Sequence, residues 1–186
     1  MRGYFGIGAE GVSKAMNAGA LFRTAHAFGA SFLFTVDAAC SRSELGKSDT
    51  SKSWAHVPLH DFESWRDIRL PAGCSLVGIE LTESAIELPS FTHPPQAAYI
   101  LGPERGSLSP EVTALCAHVV KIPTKFSVNV ALAGAIVMYD RLLSMGRFAR
   151  RPEMPGGPAE SLPPPEFGPP LWVRKQRNRE KLGESG

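Results

Sequence analysis

The sequence lacks the cysteine patterns that mark disulfide-bonded and zinc-binding proteins. Its 186 residues include three cysteines, Cys40, Cys74 and Cys116, which are odd in number, far apart and never spaced as a Cys-x-x-Cys pair. This spacing argues against a disulfide framework or a zinc knuckle and favours a reducing compartment. The sequence therefore predicts a cytoplasmic protein without a metal site.

Long apolar runs and a strong charge of either sign are also missing. A membrane helix needs ~20 consecutive apolar residues, whereas the longest candidate here, residues 130–139, is flanked by Ser127, Asn129, Asp140 and Arg141. The first eleven residues contain no unbroken apolar core of signal-peptide length, so neither a membrane span nor secretion is expected. The formal net charge of +2 permits nucleic acid as a partner but does not require it.

The hydrophobic content of 43% is enough for one core of normal size. Beyond residue 147 the composition changes abruptly, because this last part holds half of the 16 prolines and cannot form a regular element. We predict one domain over residues 1–148 and a Pro-rich, basic, extended or disordered tail over residues 149–186. Basic residues surround Trp172 near the end of this tail. The cluster is either solvent-exposed without a binding role, or it contacts the phosphates and a base of a nucleic acid.

Apolar runs alternate with helical patterns along the domain. The runs indicate strands, several of them buried on both faces, at residues 3–7, 31–36, 56–59, 74–81, 97–101 and 117–122. Helices are predicted from Ser13, as N-cap, to residue 28, and over residues 61–68, 109–116 and 130–145. This alternation predicts an α/β domain with a mainly parallel sheet flanked by helices, whose ligands lie at the carboxyl ends of the strands.

The helix predicted at residues 130–145 is apolar on nearly every side, so it belongs in a core or an interface. Ser127 and Asn129 stand at its beginning, where the first N–H groups lack partners within the helix and the helix dipole is positive. Both residues are suited to capping this helix. From this segment alone, capping and ligand binding explain them equally well.

A glycine pattern near the N-terminus suggests one further function. Gly6, Gly8 and Gly11 match the dinucleotide-binding fingerprint, with Asp37 at the end of the next strand as a possible ribose acceptor. The fingerprint needs a full strand before it and a helix that begins among the glycines. Only five residues precede Gly6, so an NAD-binding oxidoreductase is a minor alternative.

Three polar groups fall at strand ends or helix starts of the same pattern. Taken alone, each group has an ordinary explanation: the solvent-exposed face of a helix, a turn or a helix cap. Their occurrence together favours one shared site. Asn17 and Arg23 lie roughly 120° apart around a regular helix, so they face one point only if Asn17 lies where the helix starts. The groups are Asn17 with Arg23, Gly102 with Glu104 and Gly106, and Ser127 with Asn129.

Three segments resemble, in order, the motifs of the SPOUT class of RNA methyltransferases, in its TrmH-like ribose 2′-O branch. They are NAGALFRTAHAFG, ILGPERGSLSPE and KIPTKFSVNVALAGAIVMYDRL, and they span residues 17–143. The resemblance implies a deep C-terminal trefoil knot, which periodicity alone never indicates. It also implies S-adenosyl-L-methionine as cofactor, tRNA or rRNA as substrate, and a homodimer whose active site draws on both chains. A catalytically inactive RNA-binding module of the same fold is the alternative.

The resemblance also implies roles for individual residues. Arg23 would be the catalytic arginine, Asn17 its supporting neighbour, and Glu104, Ser127 and Asn129 would complete the site. Because a guanidinium stays protonated, we expect Arg23 to orient the hydroxyl or a phosphate and to stabilise developing negative charge. The cofactor would be held by main-chain groups around Ile79, Glu80, Leu101, Gly102, Gly106, Ile122, Ser127 and Val128.

Two features depart from the pattern of this family. Gly106 lies one place earlier than the family's usual glycine, with Ser107 after it. The loop between Ile122 and Ser127 is also short compared with many members. Both departures bear on how the cofactor would be contacted.

Overall fold

The computed structural model describes residues 3–41, 43–45, 53–146, 148 and 151–157. It divides the chain into two units, Met1–Gly146 and Arg147–Gly186. In the second unit, the described residues 151–157 are all exposed. Trp172 and the basic residues around it lie outside the described residues, so the predicted tail stays a prediction.

The first unit is built on one sheet of seven parallel strands, in the order β3-β2-β1-β6-β4-β7-β5. The predicted α/β class with a parallel sheet is therefore confirmed, and the trefoil knot stays a prediction. The strands are β1 (Tyr4–Glu10), β2 (Phe32–Val36), β3 (Leu59–Phe62), β4 (Ser75–Ile79), β5 (Ile86–Glu87), β6 (Gln96–Leu101) and β7 (His118–Lys121).

The helices differ in length and in the face of the sheet that they cover. Those that the structure describes from end to end are α1 (Ala15–Ala27), α2 (Pro110–Leu115) and α3 (Val130–Met145). Side chains of α1 and α3, such as Leu21 and Val137, share one core cluster with Ile7 and Tyr99 of the sheet. Val112 of α2 belongs to a second cluster with aromatic and aliphatic side chains from the other face of the strands.

The helix predicted at residues 61–68 is wrong, and the strand predicted at residues 56–59 lies three residues later. The chain there forms β3, which pairs with β2 in parallel, followed by a 3-10 turn at Trp65–Asp67. Ser64 caps this turn, because its Oγ accepts a hydrogen bond from the backbone N–H of Arg66 at 3.1 Å. The ring of Phe62 packs against Phe34. Pairing with a neighbouring strand thus overrides the local helical pattern.

Gly6 and Gly8 lie inside β1, which continues to Glu10 instead of ending at residue 7. A Cβ at Gly6 would lie 2.2 Å from the ring of Phe32, and a Cβ at Gly8 would lie 2.2 Å from the carbonyl oxygen of Phe34. The glycines therefore make room for β2, and α1 begins only at residue 15. Gly6 and Gly8 therefore do not form the turn between a strand and a helix start that the dinucleotide fingerprint requires.

The helix α3 was expected to lie in a core or an interface, and one of its faces lies in the core of this chain. Its inner face is buried and includes Gly134, where a Cβ would lie 2.3 Å from Leu21 of α1. Its outer face leaves Leu132 60% exposed and Tyr139 50% exposed. Among the residues that the structure places, no helix has the length and hydrophobicity of a transmembrane span.

A buried arginine fixes the far end of α3 to the beginnings of two strands. Arg141 is 5% exposed, and its guanidinium donates to the backbone oxygens of Pro94 at 2.7 Å, Pro95 at 2.9 Å and Tyr4 at 3.2 Å. It also donates to the hydroxyl of Tyr99 at 3.1 Å. These uncharged acceptors satisfy a buried cation with hydrogen bonds, which is the condition for tolerating it there.

Replacing Gly8 by alanine tests whether β1 needs its glycines for packing. The added methyl group would overlap the backbone of Phe34, so we expect the free energy of unfolding to fall by about 1–3 kcal/mol. Urea denaturation measures this change. Gly157→Ala is the control, because a Cβ there meets nothing within 4 Å, and equal stability of the two variants would contradict the packing role.

Candidate active site

A cleft of about 410 Å³ lies at the carboxyl ends of β4, β6 and β7, next to the beginnings of α1 and α3. Its size is typical of a small-molecule site, and its position is the usual ligand edge of a parallel sheet. Every residue that was predicted to hold a cofactor lines this cleft. These residues are Ile79, Glu80, Leu101, Gly102, Gly106, Ile122, Ser127 and Val128.

The carboxylate of Glu104 lies at one wall of the cleft and holds the start of α1. It accepts hydrogen bonds from the backbone N–H of Ser13 at 3.3 Å and of Lys14 at 3.1 Å, and from the hydroxyl of Ser13 at 3.2 Å. The amide of Asn17 donates to the same carboxylate at 3.1 Å. The first N–H groups of a helix need acceptors from outside the helix, and Glu104 provides one.

The predicted N-cap at Ser13 is consequently wrong. Lys14 occupies the N-cap position, and its side chain makes no capping hydrogen bond. The hydroxyl of Ser13 is directed to Glu104 instead. Because α1 starts at Ala15, Asn17 lies in its first turn, where its side chain reaches both the cleft and Glu104.

The charge of Glu104 is stabilised by these donors. Partial burial raises the pKa of this carboxyl, but hydrogen bonds from its own backbone amide, from Asn17 and from the backbone of Ser13 and Lys14 outweigh burial. The pKa of Glu104 therefore lies below its ordinary value, and the carboxylate is ionised at neutral pH.

Asn129 combines the two roles that its sequence position suggested. Its Oδ1 accepts from the backbone N–H of Ala131 at 2.9 Å, so it caps α3. Its Nδ2 donates to Oδ1 of Asn17 at 3.1 Å. Glu104, Asn17 and Asn129 therefore form one chain of hydrogen bonds across the cleft, and the exposed Ser127 lies two residues before the cap.

Arg23 is the one predicted site residue that the structure does not place at the cleft. It is exposed on α1, two turns of helix beyond the first turn that carries Asn17, and it is not among the described residues that line the cleft. The fold therefore separates the predicted catalytic arginine from the cleft of its own chain. Its catalytic role stays a prediction.

The sequence interpretation missed the side chain of Glu80. This carboxylate accepts from the backbone N–H of Leu108 at 2.7 Å and of Leu81 at 2.9 Å. Glu10, at the end of β1, likewise accepts from the backbone N–H of Ser109 at 2.8 Å. The two carboxylates fix the loop that follows β6. Both carboxylates could have been proposed from the sequence, because Glu10 ends an apolar strand and Glu80 directly follows one.

The cleft joins apolar side chains with hydrogen-bonding groups of the main chain. Ile79, Leu101 and Val128 supply apolar surface, and the strand ends and Asn129 supply polar groups. Such a lining suits a ligand with a flat, partly apolar portion and a polar portion. No cluster of His, Cys, Asp or Glu that would suit a metal ion occurs among the residues described by the structure.

Glu104→Gln tests the carboxylate at the wall of the cleft. A carboxyl whose pKa is lowered by folding stabilises the native state above its ordinary pKa, and this contribution is lost as the pH falls through the folded-state pKa. We expect the variant to melt below the wild type at pH 7, and the difference to shrink below about pH 4.5. Glu111→Gln, at an exposed position of α2, is the control. A difference in melting temperature that is the same at every pH would contradict the role of the charge.

The chain is similar in sequence to one protein family and in fold to solved structures of RNA methyltransferases. An rRNA methyltransferase from Sinorhizobium meliloti superposes with a TM-score of 0.68 at 20% identity, over 77% of this chain and 58% of that chain. The SpoU methyltransferase AviRb from Streptomyces viridochromogenes, solved with the cofactor AdoMet, gives 0.65 at 24% identity, over 77% and 61%. The chain thus spans less than two thirds of these two proteins.

A third structure, which concerns the 2-OH methylation of C/U34 on tRNA, is covered over its whole length. It gives a TM-score of 0.66 at 24% identity over 79% of this chain. These likenesses show the fold, and no curated protein matches the sequence significantly. Residues 5–139 match the model of the SpoU rRNA Methylase family. Since this match includes most of the chain and the whole cleft, the chain belongs to the SpoU rRNA methylase family.

Proposed function

We propose that this protein is an S-adenosyl-L-methionine-dependent RNA methyltransferase that modifies a ribose 2′-hydroxyl of tRNA or rRNA. The observation that carries the proposal is the convergence of all the predicted cofactor-binding residues, with Asn17, Glu104 and Asn129, on one cleft. Membership of the SpoU rRNA methylase family supports it. The solved AviRb binds AdoMet, and other structures of this fold concern rRNA and tRNA methylation.

The lining of the cleft fits this cofactor. Apolar side chains of Ile79, Leu101 and Val128 would contact an adenine ring, and main-chain groups at Gly102 and Ile122 would hydrogen-bond to it. When bound, the cofactor supplies a methyl group activated by a sulfonium. The protein has to hold the ribose hydroxyl in line with that group and to help remove the hydroxyl proton.

The outer face of α3 supports the proposal of a homodimer. Leu132, Ile136, Tyr139 and Leu143 recur at helical spacing and are 37–60% exposed, which makes a continuous apolar stripe. Such a stripe on a helix is typical of an interface. We infer that two copies pack through this stripe.

A dimer would also explain the position of Arg23. This residue is exposed and does not line the cleft of its own chain, so we infer that it completes the cleft of the other copy. There, its protonated guanidinium would orient the hydroxyl or an adjoining phosphate and stabilise oxyanion charge. The position of Arg23 is also the one observation that favours the second candidate, a catalytically inactive RNA-binding module.

Two further features belong to the same proposal. The three cysteines are free thiols, which supports a reducing, cytoplasmic location. We also infer that the segment before α3 is threaded as the deep trefoil knot of the SPOUT class. The sheet order, in which β4 lies between β6 and β7, is compatible with such a crossing.

Asn129 can be tested as a site residue separately from its capping role. Asn129→Ser keeps an acceptor for the helix N-terminus but loses the amide that donates to Asn17. We expect near wild-type melting temperature and a loss of methyl transfer of about tenfold or more. Asn129→Ala, which removes both interactions, should lose stability as well. The assay is incorporation of labelled methyl groups into bulk RNA from cells that lack the protein. Full transfer by Asn129→Ser would leave Asn129 as a cap alone.

Mixing two inactive variants tests the shared active site. If Arg23 acts in the partner's cleft, a dimer of one Arg23→Ala chain and one Asn129→Ala chain contains one intact site and one doubly damaged site. After dissociation and random reassociation, the mixture should recover about a quarter of wild-type methyl transfer. Each variant alone is the control and should be inactive. No recovery in mixed dimers, verified by differently tagged chains, would contradict a shared site.

A further inference from the structure

The loop between β7 and α3 carries an aromatic ring that does not line the cleft. Phe126 is 76% exposed, although Thr124 and Ser127 on either side of it line the cleft. Its backbone is held in place, because the hydroxyl of Thr124 donates to the carbonyl oxygen of Phe126 at 2.9 Å. The backbone N–H of Thr124 also donates to the carbonyl oxygen of Ile122 at 2.7 Å. The loop therefore presents the ring to solvent at the rim of the cleft.

The segment around Phe126 contains lysines and no acidic residue. Lys125 is the preceding residue and is exposed, and the exposed Lys14 lines the cleft. Residues 121–129 contain two lysines and no acidic residue. The acidic side chains at the cleft, Glu80 and Glu104, lie outside this segment and accept hydrogen bonds from the backbone N–H groups of Leu108 and Lys14. The rim next to Phe126 thus suits a polyanion.

We propose that Phe126 is a stacking platform for a nucleobase of the RNA substrate, with Lys125 and Lys14 contacting the adjoining phosphates. The proposal rests on the proposed function, because methyl transfer to a 2′-hydroxyl requires only the ribose to enter the cleft. The base attached to that ribose, or its neighbour, then remains at the rim. An aromatic ring flanked by cations is the usual device for holding an unpaired base there, whatever its identity.

A second copy of this chain is a less suitable occupant for the ring. The apolar stripe on α3 begins at Leu132 and consists of apolar side chains at helical spacing. Phe126 lies outside this helix, between Lys125 and Ser127, and lysine is depleted at protein interfaces. The charge around Phe126 therefore favours RNA.

The experiment compares wild type, Phe126→Ala, Phe126→Trp and Leu115→Ala. Leu115 is a matched control, because it is 46% exposed at the end of α2 and does not line the cleft. For each protein we would measure KM and kcat with bulk RNA from cells that lack this protein, and binding of the same RNA without cofactor. Calorimetry with S-adenosyl-L-methionine and the molar mass by light scattering complete the set.

We expect Phe126→Ala to raise KM for RNA and to weaken RNA binding at least about fivefold. Cofactor affinity and molar mass should not change, Phe126→Trp should restore binding, and Leu115→Ala should behave as wild type. Weaker RNA binding by Phe126→Ala supports the platform even if the wild type transfers no methyl group, in which case only the proposed function fails. Unchanged RNA binding, loss of cofactor affinity or a change of molar mass in Phe126→Ala would each overturn it.

Discussion

The carboxylate of Glu104 connects the segments that form the cleft. It follows β6 in sequence, yet its hydrogen-bond donors come from the beginning of α1, and Asn17 extends the connection to Asn129 at the beginning of α3. All of these donors are uncharged N–H or O–H groups, so the charge is balanced by dipoles rather than by a cation. Through these hydrogen bonds, the loop after β6 and the beginnings of both helices are tied together at the cleft.

The sequence predicted the features that depend on local patterns. Buried parallel strands appear as continuous apolar runs, and the polar residues that follow these runs must meet at one edge of the sheet. This reasoning located the α/β fold, and the three motifs resembling the SPOUT class selected the residues that line the cleft. The family itself was recognisable from these motifs, and the match over residues 5–139 confirms it.

The features that the sequence did not predict depend on contacts between distant segments. Residues 61–68 have a helical pattern, but β2 offers a strand partner to Leu59–Phe62. Ser13 is a good N-cap by residue type, but its hydroxyl donates a hydrogen bond to Glu104, which is 91 residues away in the chain. The two-residue β5 is too short to leave a pattern. The sequence of a single helix or strand does not determine these pairings or the distance of Arg23 from the cleft of its own chain.

Arg141 connects segments near both ends of the first unit. This residue joins α3 to Tyr4, which is 137 residues earlier in the chain, and to the segment before β6. A nascent chain that has not yet released Arg141 from the ribosome lacks the contacts that hold α3, and α3 carries the cap that borders the cleft. The contacts of Arg141 with Tyr4 and Pro94 can form only after the chain has been made as far as Arg141.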